Sequence, residues 1–289
     1  MHLAMISWNL LRTAQIGLFC CVLMFTQAAG QRKPEHMAVT RVSIASGMDL
    51  LAVPDICSYT SCPLLMVSHP FKGRSQDGLD ETGHPVYAHF IGQFLEAGYA
   101  VLLSSDGGEE TWGNTTALDH LVSVSAEATR YFSYNGRTFT LGVSMGALPA
   151  SLVGLTGRLP VRATALVGGV LSLPSLYQSG VTFRDSMARA YGLSGSRLSA
   201  DQFGFATVQN SPLEGTFYFA HQTIPFLAVG SSSDAWVLAS QHSEPFIESR
   251  KALGTASRFL EVTGPHLSAS HFSDQVAREI IQFFANHSE

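Results

Sequence analysis

The sequence predicts an α/β fold: a mostly parallel, twisted sheet flanked by helices on both faces, with a small cap insertion late in the chain. Three observations predict it. Short apolar runs alternate with segments whose apolar residues recur every three or four positions, the pattern of strands each followed by an amphipathic helix. Several runs are continuously apolar, as strands buried on both faces must be. One of them passes through Gly142-Val-Ser144-Met-Gly146 directly into an Ala/Leu-rich stretch, the signature of a strand that turns sharply into a helix.

The elements follow in order. Ala38–Ala45 alternates as a strand, and Asp49–Val53 is placed to pair with it. Pro63–Ser68 is a buried strand, and His69–Gly78 a loop. Pro85–Ala97 reads as a helix with Val86, Phe90, Ile91, Phe94 and Leu95 on one face, ended by Gly98. Tyr99–Leu103 is the next buried strand and Ser104–Asn114 a loop. Thr116–Phe132 is helical, with Leu118, Leu121, Val122 and Ala126 turned inward. The strand from Thr138 leads into the Gly-x-Ser-x-Gly turn. Ala163–Val167, Ile224–Val229 and Ser257–Val262 read as further strands, and Asp274–Asn286 as a closing helix. Between Leu171 and Phe219 the alternation breaks into Ser/Gly-rich pieces with short helical stretches such as Arg184–Tyr191. An insertion there sits over the carboxyl ends of the strands, where an open α/β sheet keeps its site.

Composition narrows the function classes. The chain has 289 residues, 46% hydrophobic and 13% charged, which suits one large α/β domain or two small ones and is ample for a buried core. A net charge of −5 without a basic cluster argues against nucleic acid as a partner. Arg12, the apolar run Ile16–Phe25 and the small residues around Ala28-Ala29-Gly30 have the layout of a secretory signal. Residues 1–28 are thus expected to be a signal peptide, residues 29–289 the folded domain, and the location secreted or periplasmic. The apolar run is too short to span ~30 Å of hydrocarbon, so no stable membrane insertion is expected after signal removal. Cys57 and Cys62 then remain, with four residues between them in an exported chain, and are expected to form a disulfide pinning a tight turn. No second Cys/His pair with ligand spacing accompanies them, and no metal or organic cofactor is implied.

The strand–turn–helix at Ser144 is a device for presenting a nucleophile. The serine sits strained and exposed at the tip. A Cβ at either flanking glycine would collide with its neighbours, and the helix N-terminus behind it offers free N–H groups.

The order of elements and motifs resembles the α/β-hydrolase superfamily over roughly residues 38–286. The loop Asp106-Gly-Gly-Glu-Glu-Thr-Trp-Gly-Asn114, the elbow Gly142–Gly146 and the segment Ala188-Arg-Ala-Tyr-Gly192 look like secreted bacterial serine esterases. The resemblance implies a nucleophile at Ser144, followed in chain order by an acid and then a histidine. Asp234, after the apolar strand and glycine of Ile224–Gly230, fits the acid that orients the imidazole. Two histidines, His266 and His271, follow the last strand. His266 directly after Gly264-Pro265 is the favoured base, and His271 the alternative.

The same resemblance places one oxyanion N–H at Met145 and the other on the loop after Ser68. Many relatives have His-Gly there, and this chain has His69-Pro70. Proline has no N–H, so Phe71 becomes the nearest donor, with its ring free to line an acyl pocket. His69 is read as organising the loop, and the Met145 thioether as packing at the pocket wall. Trp112 and Trp236 lie in or beside loops that face the cleft, either as a substrate platform or as packing beneath the loops. Asp106, Glu109 and Glu110 read as a solvated acidic patch. Asn114-Thr-Thr116 and Asn286-His-Ser288 match a glycosylation pattern. The remaining histidines read as structural or surface groups.

The implied activity is hydrolysis of small-molecule or polymeric carboxylic esters through an acyl-enzyme. The rival readings are an amidase or peptidase with the same residues, and a non-catalytic binding protein of the same fold.

Overall fold

The computed structural model describes residues 38–193 and 198–289. The expected signal segment, residues 1–28, and the polar stretch after it to residue 37 lie outside the described residues.

Eight strands form one sheet. In chain order they are β1 (Val39–Ile44), β2 (Asp49–Pro54), β3 (Cys62–Ser68), β4 (Ala100–Ser104), β5 (Tyr134–Val143), β6 (Val161–Val167), β7 (Phe226–Ser231) and β8 (Arg258–Val262). Across the sheet the order is β1-β2-β4-β3-β5-β6-β7-β8. β1 and β2 pair antiparallel, β2 meets β4 antiparallel, and the other pairs are parallel.

Strand alternation divides the core between two faces. Leu65 and Val67 of β3 point to one side, and Leu64 and Met66 to the other. The first side is covered by α1 (Pro85–Glu96) and α8 (Asp274–Asn286), through Phe90, Ile91, Phe94 and Val276, Ile280, Phe284. The second is covered by α2 (Thr115–Ala128), α3 (Ala147–Leu155) and α7 (Ser243–Ala252). Every residue of α3 is buried, so the helix behind Ser144 runs through the middle of the layer. α4 (Leu173–Ser179), α5 (Arg184–Ala190) and α6 (Ala200–Thr207) form the insertion between β6 and β7.

Three expectations shift. Val86 is exposed in the first turn of α1, ahead of the buried face. α2 ends at Ala128, and its inward face runs through Ala117, Leu118, Leu121, Val124, Ser125 and Ala128, so Ala126 faces solvent. The loop between β3 and α1 contains a short 3-10 turn, Ser75–Leu79. Cys57 and Cys62 are disulfide-bonded, with Cα atoms 5.5 Å apart, where the chain enters β3.

Candidate active site

Ser144 begins a single 3-10 turn between the end of β5 and the start of α3. Its φ is +52°, a left-handed conformation that a non-glycine residue adopts only under constraint. The flanking glycines show what imposes it. A Cβ on Gly142 would come within 2.5 Å of the Ala147 Cα, and one on Gly146 would overlap the Ser68 carbonyl oxygen. The elbow is therefore pressed against both its own helix and the end of β3.

Two loops bring partners to this serine. Ser144 Oγ lies 2.9 Å from His266 Nε2. His266 Nδ1 lies 2.6 Å from Asp234 Oδ2. Asp234 is fully buried, and its other oxygen accepts the N–H groups of Trp236 and Val237, at 2.9 Å each. Burial alone would raise its carboxyl; the imidazole hydrogen bond and the two backbone N–H groups outweigh it and hold it below the ordinary carboxylate range. A carboxylate accepting from Nδ1–H leaves the Nε2 lone pair facing the serine hydroxyl. The histidine loop is tied to β7 by the Ser231 hydroxyl, which donates to the Gly264 carbonyl at 2.7 Å.

His271 takes no part in this relay. It is buried with Nδ1 3.3 Å from Ser268 Oγ, and burial lowers its pKa. Another buried histidine, His242, accepts the N–H groups of Ser172 (3.1 Å) and Leu171 (3.3 Å) on Nδ1. That fixes its proton on Nε2, and burial pushes its pKa down to about 4. It anchors the start of the insertion to the segment after β7.

The loop after β3 is held from below. The Pro70 carbonyl accepts from Gly73 N–H at 2.8 Å and from His69 Nδ1 at 2.7 Å. His69 Nε2 lies 3.0 Å from the Ser105 carbonyl. Both ring nitrogens thus face oxygens that only accept, an arrangement that favours the doubly protonated imidazolium. A trans peptide sets C=O and N–H in opposite directions. Fixing the Pro70 carbonyl therefore turns the Phe71 N–H the other way, and no described residue accepts a backbone hydrogen bond from it.

The countercharge for His69 is Asp106, 3.9 Å away, which corrects the expected solvated acidic patch. Asp106 is fully buried and accepts from Ser68 Oγ at 2.9 Å. Burial pushes it up to about 6 against the pull of His69 and the Ser68 hydroxyl. Burial would lower His69, but Asp106 and the surrounding carbonyls raise it above the ordinary histidine value. Glu110, from the same stretch, accepts from the Ser186 hydroxyl and pairs with Arg189 and Lys72.

Ser144 and His266 open into a cavity of about 210 Å³ lined by Phe71, Trp112, Leu176, Phe183 and Trp236 among others. Trp112 is buried, tilted against Phe71 at 5.3 Å and edge-on to Phe183 at 5.6 Å. Its indole N–H donates to Ser186 Oγ at 2.7 Å. Trp236 lies over the His266 ring at 5.7 Å and is largely exposed. Both tryptophans reach the cavity, one as a braced wall and one as its rim.

Met145 does not line the cavity. Its side chain is fully buried in the core, because the turn that frees its N–H sends its side chain under α3. The Asn114 pattern is also occupied: its side chain caps α2 and donates to the Ala190 carbonyl at 2.8 Å. Sequence reading missed Phe183, Leu176 and Asp106. Phe183 directly precedes the helical piece at Arg184, and that adjacency was the one available signal. Among the described residues, no group of three His, Cys, Asp or Glu side chains is placed to hold a metal ion.

No family model matches the chain, and no curated protein matches it. Solved structures do. A carboxyl esterase from the mycorrhizal fungus Tuber melanosporum is 18% identical, with a TM-score of 0.58 over 89% of each chain. A fluorophosphonate-binding serine hydrolase of Staphylococcus aureus is 15% identical, with a TM-score of 0.60 over 86% of this chain and 98% of that one. An acylaminoacyl peptidase of Pyrococcus horikoshii is 16% identical, with a TM-score of 0.65 over 88% of this chain but only 42% of its own length. The chain has the α/β-hydrolase fold.

Proposed function

We propose that the chain is a serine hydrolase of carboxylic esters. One observation carries the reading: a strained serine at a strand–helix elbow hydrogen-bonded to His266, which is hydrogen-bonded to a buried aspartate. A hydroxyl held this way loses its proton to Nε2 as it attacks a carbonyl carbon.

In this reading the Ser144 Oγ–carbon bond forms while the proton passes to His266. His266 then delivers that proton to the alcohol oxygen as the ester C–O bond breaks. Water then attacks the acyl carbon as it gives a proton to the same nitrogen; the bond to Ser144 Oγ breaks, Oγ takes that proton back from His266, and the acid is released. Asp234 keeps the imidazole in the needed tautomer and stabilises its cationic form. The N–H groups of Met145 and Phe71 are the oxyanion donors. Preorganised donors of this kind are worth about 3–4 kcal/mol each. Trp112 and Trp236 line the substrate cavity.

Export through residues 1–28 belongs to the same proposal. The Cys57–Cys62 disulfide supports it, since such bonds persist in oxidising compartments, and no described helix is long and apolar enough to cross a membrane. The insertion between β6 and β7 is the cap of the domain formed by residues 29–289.

The test has two parts. A fluorophosphonate probe should label Ser144 in folded protein, and a panel of p-nitrophenyl esters should be turned over well ahead of the matching peptide anilides. Anilides cleaved as fast as esters would move the assignment to an amidase or peptidase. Folded protein that resists the probe would leave a binding protein on a hydrolase fold.

A further inference from the structure

Ser144 and His266 line one cavity. Pro70 and Leu267, which stand on either side of them, line two. The second cavity is larger, about 400 Å³, and lies between the first turn of α1 (Pro85, Val86, Tyr87) and the segment after His266 (Leu267, Ala269, Phe272), with Val143 at its base. Apart from the His84 ring and the Tyr87 hydroxyl, the walls are apolar. Leu267 divides the two spaces and is held at φ +50°, an outlier that a branched side chain adopts only when its surroundings force it.

Resting on the ester-hydrolase reading above, we propose that the two cavities hold the two arms of one substrate: the acyl arm under the cap, the alcohol arm beside α1. The substrate class is then an ester of a compact, flat acid with an extended aliphatic alcohol.

Size sets the limits of each arm. At about 30 Å³ per water-sized group, the cap-side cavity takes roughly seven such groups and the α1-side cavity roughly a dozen. The linings set the chemistry. Phe71, Trp112, Phe183 and Trp236 offer ring faces and edges to a flat acyl group. The other space offers aliphatic walls and the tilted ring pair Tyr87–Phe272, with centroids 5.3 Å apart.

The order of bond breaking sets the assignment. The acyl arm must stay in place after the alcohol has left, and water must reach the carbonyl along the path that the alcohol vacated. The more enclosed side therefore keeps the acyl arm: Trp112, Val170, Leu176 and Val237 of its lining are buried, with Trp236 exposed at its rim. The more open side releases the alcohol: His84, Pro85, Val86 and Ala269 of its lining are all exposed.

The test uses methyl benzoate, octyl benzoate and methyl octanoate with the full-length protein and two variants. Wild type is expected to show kcat/KM at least tenfold higher for octyl than for methyl benzoate, since a single methylene in an apolar pocket is worth about tenfold. Val86→Trp fills the open cavity from an exposed helix turn and should cut that octyl/methyl ratio at least tenfold. Phe183→Ala enlarges the cap side and should raise methyl octanoate relative to methyl benzoate at least tenfold. If Val86→Trp instead moves the octanoate/benzoate ratio, or neither variant moves either ratio, the two-arm assignment is overturned. If wild type turns over none of the three, or Ser144→Ala turns them over as fast as wild type, the ester reading itself falls and this one with it.

Discussion

The interior of the sheet and the crest of loops at its carboxyl edge are built on opposite terms. In the interior, β3, β4, β5, β6 and β7 are buried on both sides by aliphatic and aromatic side chains, and polar groups there find one another, as with the Thr140 and Thr164 hydroxyls at 2.7 Å. At the crest, five of the six described non-glycine residues with positive φ are gathered: Lys72, Asp106, Trp112, Ser144 and Leu267. Beside them are buried ionisable groups, His69, Asp106, Asp234, His242 and His271. Local preference and global fold agree in the first region and conflict in the second. Strain and buried charge persist there because the strands beneath over-determine where the loops begin and end.

The contrast breaks most sharply at Ser144. Ser144→Ala should lower kcat on a p-nitrophenyl ester by roughly 10³- to 10⁶-fold while shifting unfolding by only about 1 kcal/mol, the scale of one hydrogen bond. Steady-state kinetics beside urea denaturation checks both. A large loss of stability would mean that the crest serine holds the fold rather than the chemistry.

The same division explains what was legible in the sequence. Periodicity reports burial, so every strand and the closing helix Asp274–Asn286 could be read directly. The elbow was legible because collisions at Gly142 and Gly146 force the residue type. The placing of Asp234 and His266 beside Ser144 follows the chain order expected after β7 and β8. Asp106 was not. Its stretch, Asp-Gly-Gly-Glu-Glu, is indistinguishable in pattern from a solvated turn, and only the pairing with His69 and Ser68 across β3 and β4 buries it. Met145 failed similarly: the turn separates the direction of its N–H from that of its side chain. The insertion could be bounded but not packed, because its contacts, Phe183 on Trp112 and Tyr191 on the Trp112 carbonyl, join residues far apart in the chain.

His242 sharpens the comparison through pH. Its folded-state pKa is about 4 against 6.5 for a free histidine, so between those values the unfolded chain binds the extra proton. Stability must therefore fall as pH drops from 6.5 towards 4, by ~3 kcal/mol for a fully expressed shift. His242→Leu should be less stable at pH 7, because the Leu171 and Ser172 N–H groups lose their acceptor, yet show a flatter decline over that window. Denaturant titrations at several pH values read the difference. Parallel slopes in variant and wild type would remove His242 from the account.

His69 gives a smaller effect of opposite sign. Its pKa is raised above the ordinary histidine value, so the proton that holds the Pro70 carbonyl persists to higher pH than on a free imidazole and is lost as pH climbs through the raised value. The groups facing it are Asp106 and the carbonyls of Pro70 and Ser105, with Asp49 and His120 one step beyond. His69→Phe should reduce kcat by about 10- to 100-fold, a share of one oxyanion donor, with little change in KM. His69→Asn keeps a donor near the Nδ1 position, so it should recover part of that rate and remove the alkaline decline. Equal losses in both variants would point to packing instead.

The smallest effect lies at the opposite edge of the sheet. Cys57 and Cys62 close a loop where the chain enters β3, at the end of that strand remote from Ser68. Closing so short a loop removes only ~2 kcal/mol of freedom from the unfolded chain. The double variant Cys57→Ala/Cys62→Ala should lose about that much stability, while kcat/KM at a temperature where both proteins are folded stays within about twofold of wild type. A substantial fall in rate would show that the entry to β3 is mechanically coupled to the loop after it. The sheet interior would then transmit strain to the crest rather than insulate it.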